Sequence, residues 1–101
     1  MIKKQDMKII AAKMKAVNDL IALGVMSPFV ETPVVYVFPQ ALKVDDRKYM
    51  MHWCQNILRV WALHYPQNIV GAVADLELVV YNKENGDLIC RYSDRKDIVF
   101  W

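Results

Sequence analysis

The stretch from Asp45 to Tyr65 constrains this 101-residue chain more than any other. Its spacing predicts a helix that is apolar around most of its circumference. At 100° per residue, Tyr49, Met50, Met51, Trp53, Cys54, Ile57, Leu58, Val60, Trp61, Ala62 and Tyr65 cover an arc of about 220°. A surface helix packed on one neighbour needs a stripe of roughly 100°. Such a helix must be covered on two sides, by the rest of a small domain and by another helix, a second subunit or a partner.

The length fits a single domain spanning 1–101, and an apolar fraction of 55% supplies enough side chains for one core. No apolar run approaches the ~18 residues of a membrane span. Lysines and Asp6 interrupt the N-terminal stretch, so it does not read as a signal peptide, and the expected location is cytoplasmic. Cys54 and Cys90 both sit among hydrophobic neighbours and read as buried free thiols. A net charge of +2 does not by itself imply nucleic acid.

Around the long helix the pattern predicts an α+β fold. Met7, Ile10, Met14, Val17 and Ile21 recur at helical spacing, so residues 3–23 read as a first helix, stopped at Gly24 and packed on a sheet. Val34 to Phe38 is a β-branched and aromatic strand with Pro33 and Pro39 at its ends, which suits an edge strand or one whose ends are free, and its place in the sheet is left open. Asp45 or Asp46 caps the long helix and Pro66 ends it. Asp75 to Tyr81 alternates, with Leu76, Leu78 and Val80 on the apolar face.

The turn at Lys83–Asp87 returns the chain through Leu88 to Tyr92. A loop with Gly86 in the left-handed conformation pairs Lys83 with Asp87, Val80 with Cys90 and Leu78 with Tyr92, which keeps one face apolar. Ile98 to Trp101 is a last strand or an apolar tail. The sum is a small two-layer domain, two helices on a sheet of three or four mainly antiparallel strands.

Chemistry is hard to find in the chain. Ser27, Thr32 and Ser93 are the whole hydroxyl inventory outside tyrosine, and none adjoins a histidine in sequence. His52 and Cys54 point about 160° apart on a helix, so they cannot share an ion. His64 falls within the apolar arc at the helix C-terminus, where a packed ring is expected. Asp75 and Glu77 read as the wet face of a strand, and three glycines leave no phosphate-cradling loop. The expectation is therefore no enzyme, no cofactor and no metal.

Binding has the stronger case. Tyrosine, tryptophan and methionine dominate interface anchors, and this chain carries five, three and six of them. The candidate contact residues are Phe38, Pro39, Met51, Trp53, Trp61, Tyr65, Pro66, Phe100 and Trp101. The expected function is that of an accessory protein of the phage or mobile-element type. It docks on a larger host complex and modulates or inhibits it, a nucleic-acid-processing machine such as a recombination nuclease or a CRISPR effector. A second expectation is nucleic-acid binding through a stripe of Lys4, Lys8 and Lys15 together with Arg91, Arg95 and Lys96. A third is a homodimeric scaffold that buries its surplus apolar surface against itself.

Overall fold

A computed structural model describes residues 4–69, 71–72 and 75–100, and within the first helix the side chains of residues 8 and 11–22. The described chain forms helix α1 (Lys4–Ala22), strand β1 (Val34–Val37), helix α2 (Arg47–His64) and strands β2 (Leu78–Asn82), β3 (Leu88–Ser93) and β4 (Asp97–Phe100). The strands make one sheet in the order β1-β2-β3-β4. β1 runs parallel to β2, and the other two pairings are antiparallel. The α+β expectation holds, and the place of β1, which the sequence left open, is at a sheet edge. Both the Phe38–Pro39 and Tyr65–Pro66 bonds are trans.

Local chemistry sets the helix ends. Gly24 takes φ +75°, a conformation in which a Cβ costs about 1 kcal/mol or more. That turn lets Val25 N donate to Leu20 O and Gly24 N to Ile21 O, a Schellman arrangement that satisfies the last carbonyls of α1. Asp46 caps α2, its carboxylate accepting from Tyr49 N at 3.1 Å. Pro66 opens a short 3₁₀ turn and α2 stops at His64.

The two-sided helix finds both covers inside the chain. Met50, Cys54, Asn56, Ile57, Leu58, Val60 and Trp61 are buried, an arc of about 200° at helical spacing. One flank lies on the sheet, against β3 and β4, and the other is taken by α1, whose principal neighbour is α2. Val35, Val37, Leu78, Val80, Cys90, Tyr92 and Ile98 alternate inward from the four strands to meet it, and Val17 of α1 closes the cluster. Of the first helix's expected apolar stripe, Met7 and Ile10 have side chains outside the described residues, and Met14 and Ile21 are half-buried.

Two details of the hairpin differ from expectation. Strand β2 starts at Leu78 rather than Asp75: Asp75 lies in a turn before the strand, its N donating to Ala72 O at 3.0 Å and its carboxylate pairing with Arg95 at 2.6 Å. Val80 opposes Cys90 and Leu78 opposes Tyr92 as the apolar-face argument required, but a bulge then sets Tyr81 opposite Leu88. Lys83 and Asp87 consequently do not pair. Asn82 N donates to Asp87 O instead, and Gly86 supplies the left-handed turn at φ +79°.

These packing roles translate into stability. Leu58→Ala empties a fully buried site between the layers and lowers unfolding stability by about 2–5 kcal/mol. Asp46→Ala removes only the cap and costs about 1 kcal/mol. Urea titrations followed by tryptophan fluorescence check both, with the larger midpoint shift expected for Leu58→Ala.

Candidate functional site

Helices α1 and α2 touch each other and α2 lies on β3 and β4, so both helices share one side of the sheet, and no described helix lies on the opposite face. Register identifies what that face carries. Tyr36 pairs with Tyr81, Val34 with Val79, Val79 with Arg91, and Arg91 with Val99. These side chains alternate with the buried ones, so they point away from the helices. Tyr36 and Tyr81 stack with centroids 5.3 Å apart and planes 25° from parallel. Tyr36 is 42% exposed and Val99 57%. The register sets two cross-strand rows on this face, Tyr36–Tyr81–Leu88 and Val34–Val79–Arg91–Val99, with Val34, Val79 and Tyr81 half-buried. At ~4.8 Å between strands the second row spans roughly 14 Å and is broken by one guanidinium. Arg91 is exposed and forms no ion pair among the described residues.

The rims of this face are closed differently. Along β1, Ser27 N donates to Tyr36 O at 2.8 Å and Ser27 Oγ accepts from Tyr36 N at 2.9 Å, so that edge is already paired. Lys83 spans one end, its ammonium 5.1 Å from the Phe38 ring centroid and donating to Gly24 O. Along β4 the outer backbone edge pairs with no described strand. Asp97 begins that strand at φ +65°, held there by its own carboxylate, which accepts from Ile98 N and from Arg47 Nη2.

The residues expected to make a contact surface differ in exposure and are spread over several elements. Trp61 is 1% exposed, and its Nε1 donates to Val30 O at 2.9 Å, so it is a core residue rather than an anchor. Tyr65 stacks half-buried on Trp61, and Trp53 is half-buried edge-on to Tyr49. Phe38 and Pro39 follow β1 and precede α2, while Tyr65 and Pro66 follow α2. Met51 (36% exposed) stands on α2 and Phe100 (37%) on β4. Trp101 lies outside the described residues.

The basic residues are likewise divided. Lys8 and Lys15 belong to the helix layer, whereas Arg91 faces the other way. The side chain of Lys4 is outside the described residues. Lys15 pairs with Asp19 at 2.8 Å, which raises its pKa through that hydrogen bond, and Arg95 pairs with Asp75. Lys96 is exposed in the β3–β4 turn. Lys8 and Lys15 on α1 and Arg91 on the outer face of β3 therefore do not share one face.

The residues with chemical potential serve packing. Cys54 and Cys90 are both fully buried with their sulfurs 3.9 Å apart, and their hydrogen bond pushes Cys54 up and Cys90 down from the ordinary thiol range. His64 stacks at an angle on Phe29, 5.4 Å between centroids. His52 Nε2 lies 3.3 Å from Asn56 Nδ2, and Asn56 Oδ1 is buried without a partner. Among the described residues no three His, Cys, Asp or Glu side chains converge as metal ligands. Tyr92 donates to Asp94 at 2.6 Å, and Asp94 also receives Arg59, tying α2 to the β3–β4 turn.

Sequence reasoning passed over Tyr36, Val79, Tyr81 and Val99. The available signal was continuity. Val34-Val35-Tyr36-Val37, Leu78-Val79-Val80-Tyr81 and Ile98-Val99-Phe100 are apolar at successive positions, as in strands covered on both faces.

Burial pushes the Tyr92 hydroxyl well above its usual value, with the Asp94 carboxylate adding to the shift. A group whose folded pKa exceeds its unfolded one stabilises the fold below the unfolded pKa, about 10 for tyrosine. That contribution is lost as pH rises through the folded value. Stability should therefore fall with alkali from about pH 10 upward, and Tyr92→Phe should flatten the decline. Denaturation midpoints between neutral and alkaline pH, compared for the two proteins, check this.

The chain matches no family model, no curated protein and no solved structure.

Proposed function

We propose that this protein is a non-enzymatic docking domain that binds a larger protein through the bare face of its sheet. The observation that carries this reading is the apolar set on the sheet face turned from the helices, the Tyr36–Tyr81 stack beside Val34, Val79 and Val99, of which Tyr36 and Val99 are exposed and the others half-buried. Exposed apolar side chains scattered singly need no explanation, but a contiguous set is the usual mark of an interaction surface. Stacked tyrosines give large, rigid contact area, and Arg91 in the row adds a directional charge. Modulation or inhibition of a host complex is the consequence drawn from this: among the described residues no serine, threonine or cysteine hydrogen-bonds a histidine, so the domain acts by occupying a surface.

One observation favours a second reading. Two stacked rings beside an exposed arginine also suit the bases and phosphates of a single strand of nucleic acid. The aliphatic share of the face and the pairing of Lys15 and Arg95 with carboxylates weigh toward protein.

Capture from a lysate of the native host, with and without nuclease, separates the two. A stoichiometric protein that survives nuclease is expected. The double variant Tyr36→Ala/Val99→Asp should keep the circular-dichroism melt of the parent and bind that protein roughly 30-fold more weakly, the loss typical of one aromatic hot spot. Unchanged affinity in a folded double variant removes the sheet face from the contact. Recovery that vanishes with nuclease transfers the role to nucleic acid.

A further inference from the structure

Beneath the sheet, the two cysteines form a site independent of the docking face. We propose that Cys54 and Cys90 are a redox pair, joined on oxidation into an intramolecular disulfide that clamps α2 to β3.

Four observations meet here. The thiols come from different layers and stand 36 positions apart in sequence, yet their sulfurs are in contact at 3.9 Å. Closing to a disulfide of ~2.05 Å requires a movement of about 2 Å, within reach of side-chain rotation and a small shift of the helix. Both sulfurs lie in the core, Cys90 flanked in the sheet by Val80 and Phe100 and Cys54 on the sheet side of α2. Among the described residues there is no other cysteine, so neither has an alternative partner in this chain. The mutual hydrogen bond also divides their roles, because it lowers the pKa of Cys90 and makes it the better thiolate.

The oxidant is a peroxide, small enough to enter when the layers breathe. The Cys90 thiolate attacks one peroxide oxygen, the O–O bond breaks and hydroxide leaves, giving a sulfenic acid at Cys90. Cys54 then gives up its proton and its sulfur attacks Cys90. The S–O bond breaks and the oxygen departs as water. In sum, two thiols and one hydrogen peroxide yield one disulfide and two waters. Two electrons pass from sulfur to oxygen. Contact between the sulfurs makes the second step intramolecular, so it outruns further oxidation to sulfinic acid and bonding to a second chain.

Burial makes access the slow step. The reaction rate should follow the population of open molecules and so rise in sub-denaturing urea. The closed loop is long, and a cross-link across it restricts the unfolded chain.

The experiment treats the folded protein with hydrogen peroxide, then unfolds it in iodoacetamide and weighs it. The expected product is monomeric, about 2 Da lighter than the reduced chain, unalkylated and restored by dithiothreitol. Digestion should give one peptide pair joined through Cys54 and Cys90. The melting temperature should rise by roughly 10 °C on oxidation. Cys54→Ala, which removes the resolving thiol, should instead accumulate sulfinic acid at Cys90, whereas Cys90→Ala, which removes the attacking thiol, should stay largely unoxidised. The proposal is overturned if the parent gains oxygen without a cross-link, links between chains, or keeps two alkylatable thiols in urea. A cross-linked product that melts no higher than the reduced protein removes the clamp.

Discussion

The domain depends on a helix that is hydrophobic on too much of its surface to lie on a sheet alone. Seven buried residues of α2 sweep about 200°, and an exposed flank of that size would sacrifice several side chains' worth of burial, each about 1.5–3 kcal/mol. The chain solves this by running α1 beside α2, so that the sheet receives one flank and α1 the other. Both helices are thereby committed to the same side. Arg59 and Arg47 reach from α2 to Asp94 and Asp97, placing the helix over β3 and β4, although such exposed pairs add little stability of their own.

The bare outer face follows from that commitment. A four-stranded sheet in a two-layer domain has one face to bury and one to leave wet, and wet strand positions are ordinarily polar. Here they are Val34, Tyr36, Val79, Tyr81, Arg91 and Val99. The folding requirement is already met on the inner face by Val35, Val37, Leu78, Val80, Cys90, Tyr92 and Ile98, each at most 4% exposed. Of these Tyr36, Arg91 and Val99 are exposed and Val34, Val79 and Tyr81 half-buried, so packing within the chain accounts for only part of the outer set. The surplus apolar arc of α2 is covered on one flank by α1, while Met51 and Leu63 stay exposed on the helix.

Much of the fold was legible in local signals. Helical spacing, the Asp46 cap, the Gly24 stop and Pro66 placed both helices to within a few residues, since these depend on neighbours in sequence. The hairpin register was legible too, because a one-residue slip would have turned Leu78 and Val80 outward. The bulge was not, since an extra residue is accommodated by sheet twist and by the Asn82–Asp87 hydrogen bond, which no pattern announces. Nor was the start of β2, where a turn joining Asp75 N to Ala72 O keeps Asp75 off the ladder although the alternation extends from Asp75 to Tyr81.

The candidate site was less legible for a related reason. Exposure is a property of the assembled layers. Trp61 has the composition of an anchor but is oriented by α2 into the core, where its indole N–H finds the Val30 carbonyl. Tyr36 lies in a strand of otherwise aliphatic residues and reads as core, yet parallel pairing with β2 turns it to the open side against Tyr81. An apolar residue is assigned inward or outward only once the strand order and the side taken by the helices are known. Strand order alone would still leave the choice open, because these strands are apolar at successive positions. The decisive constraint is the width of the apolar arc on α2, which brings α1 to its own side of the sheet and so determines which aromatics meet solvent.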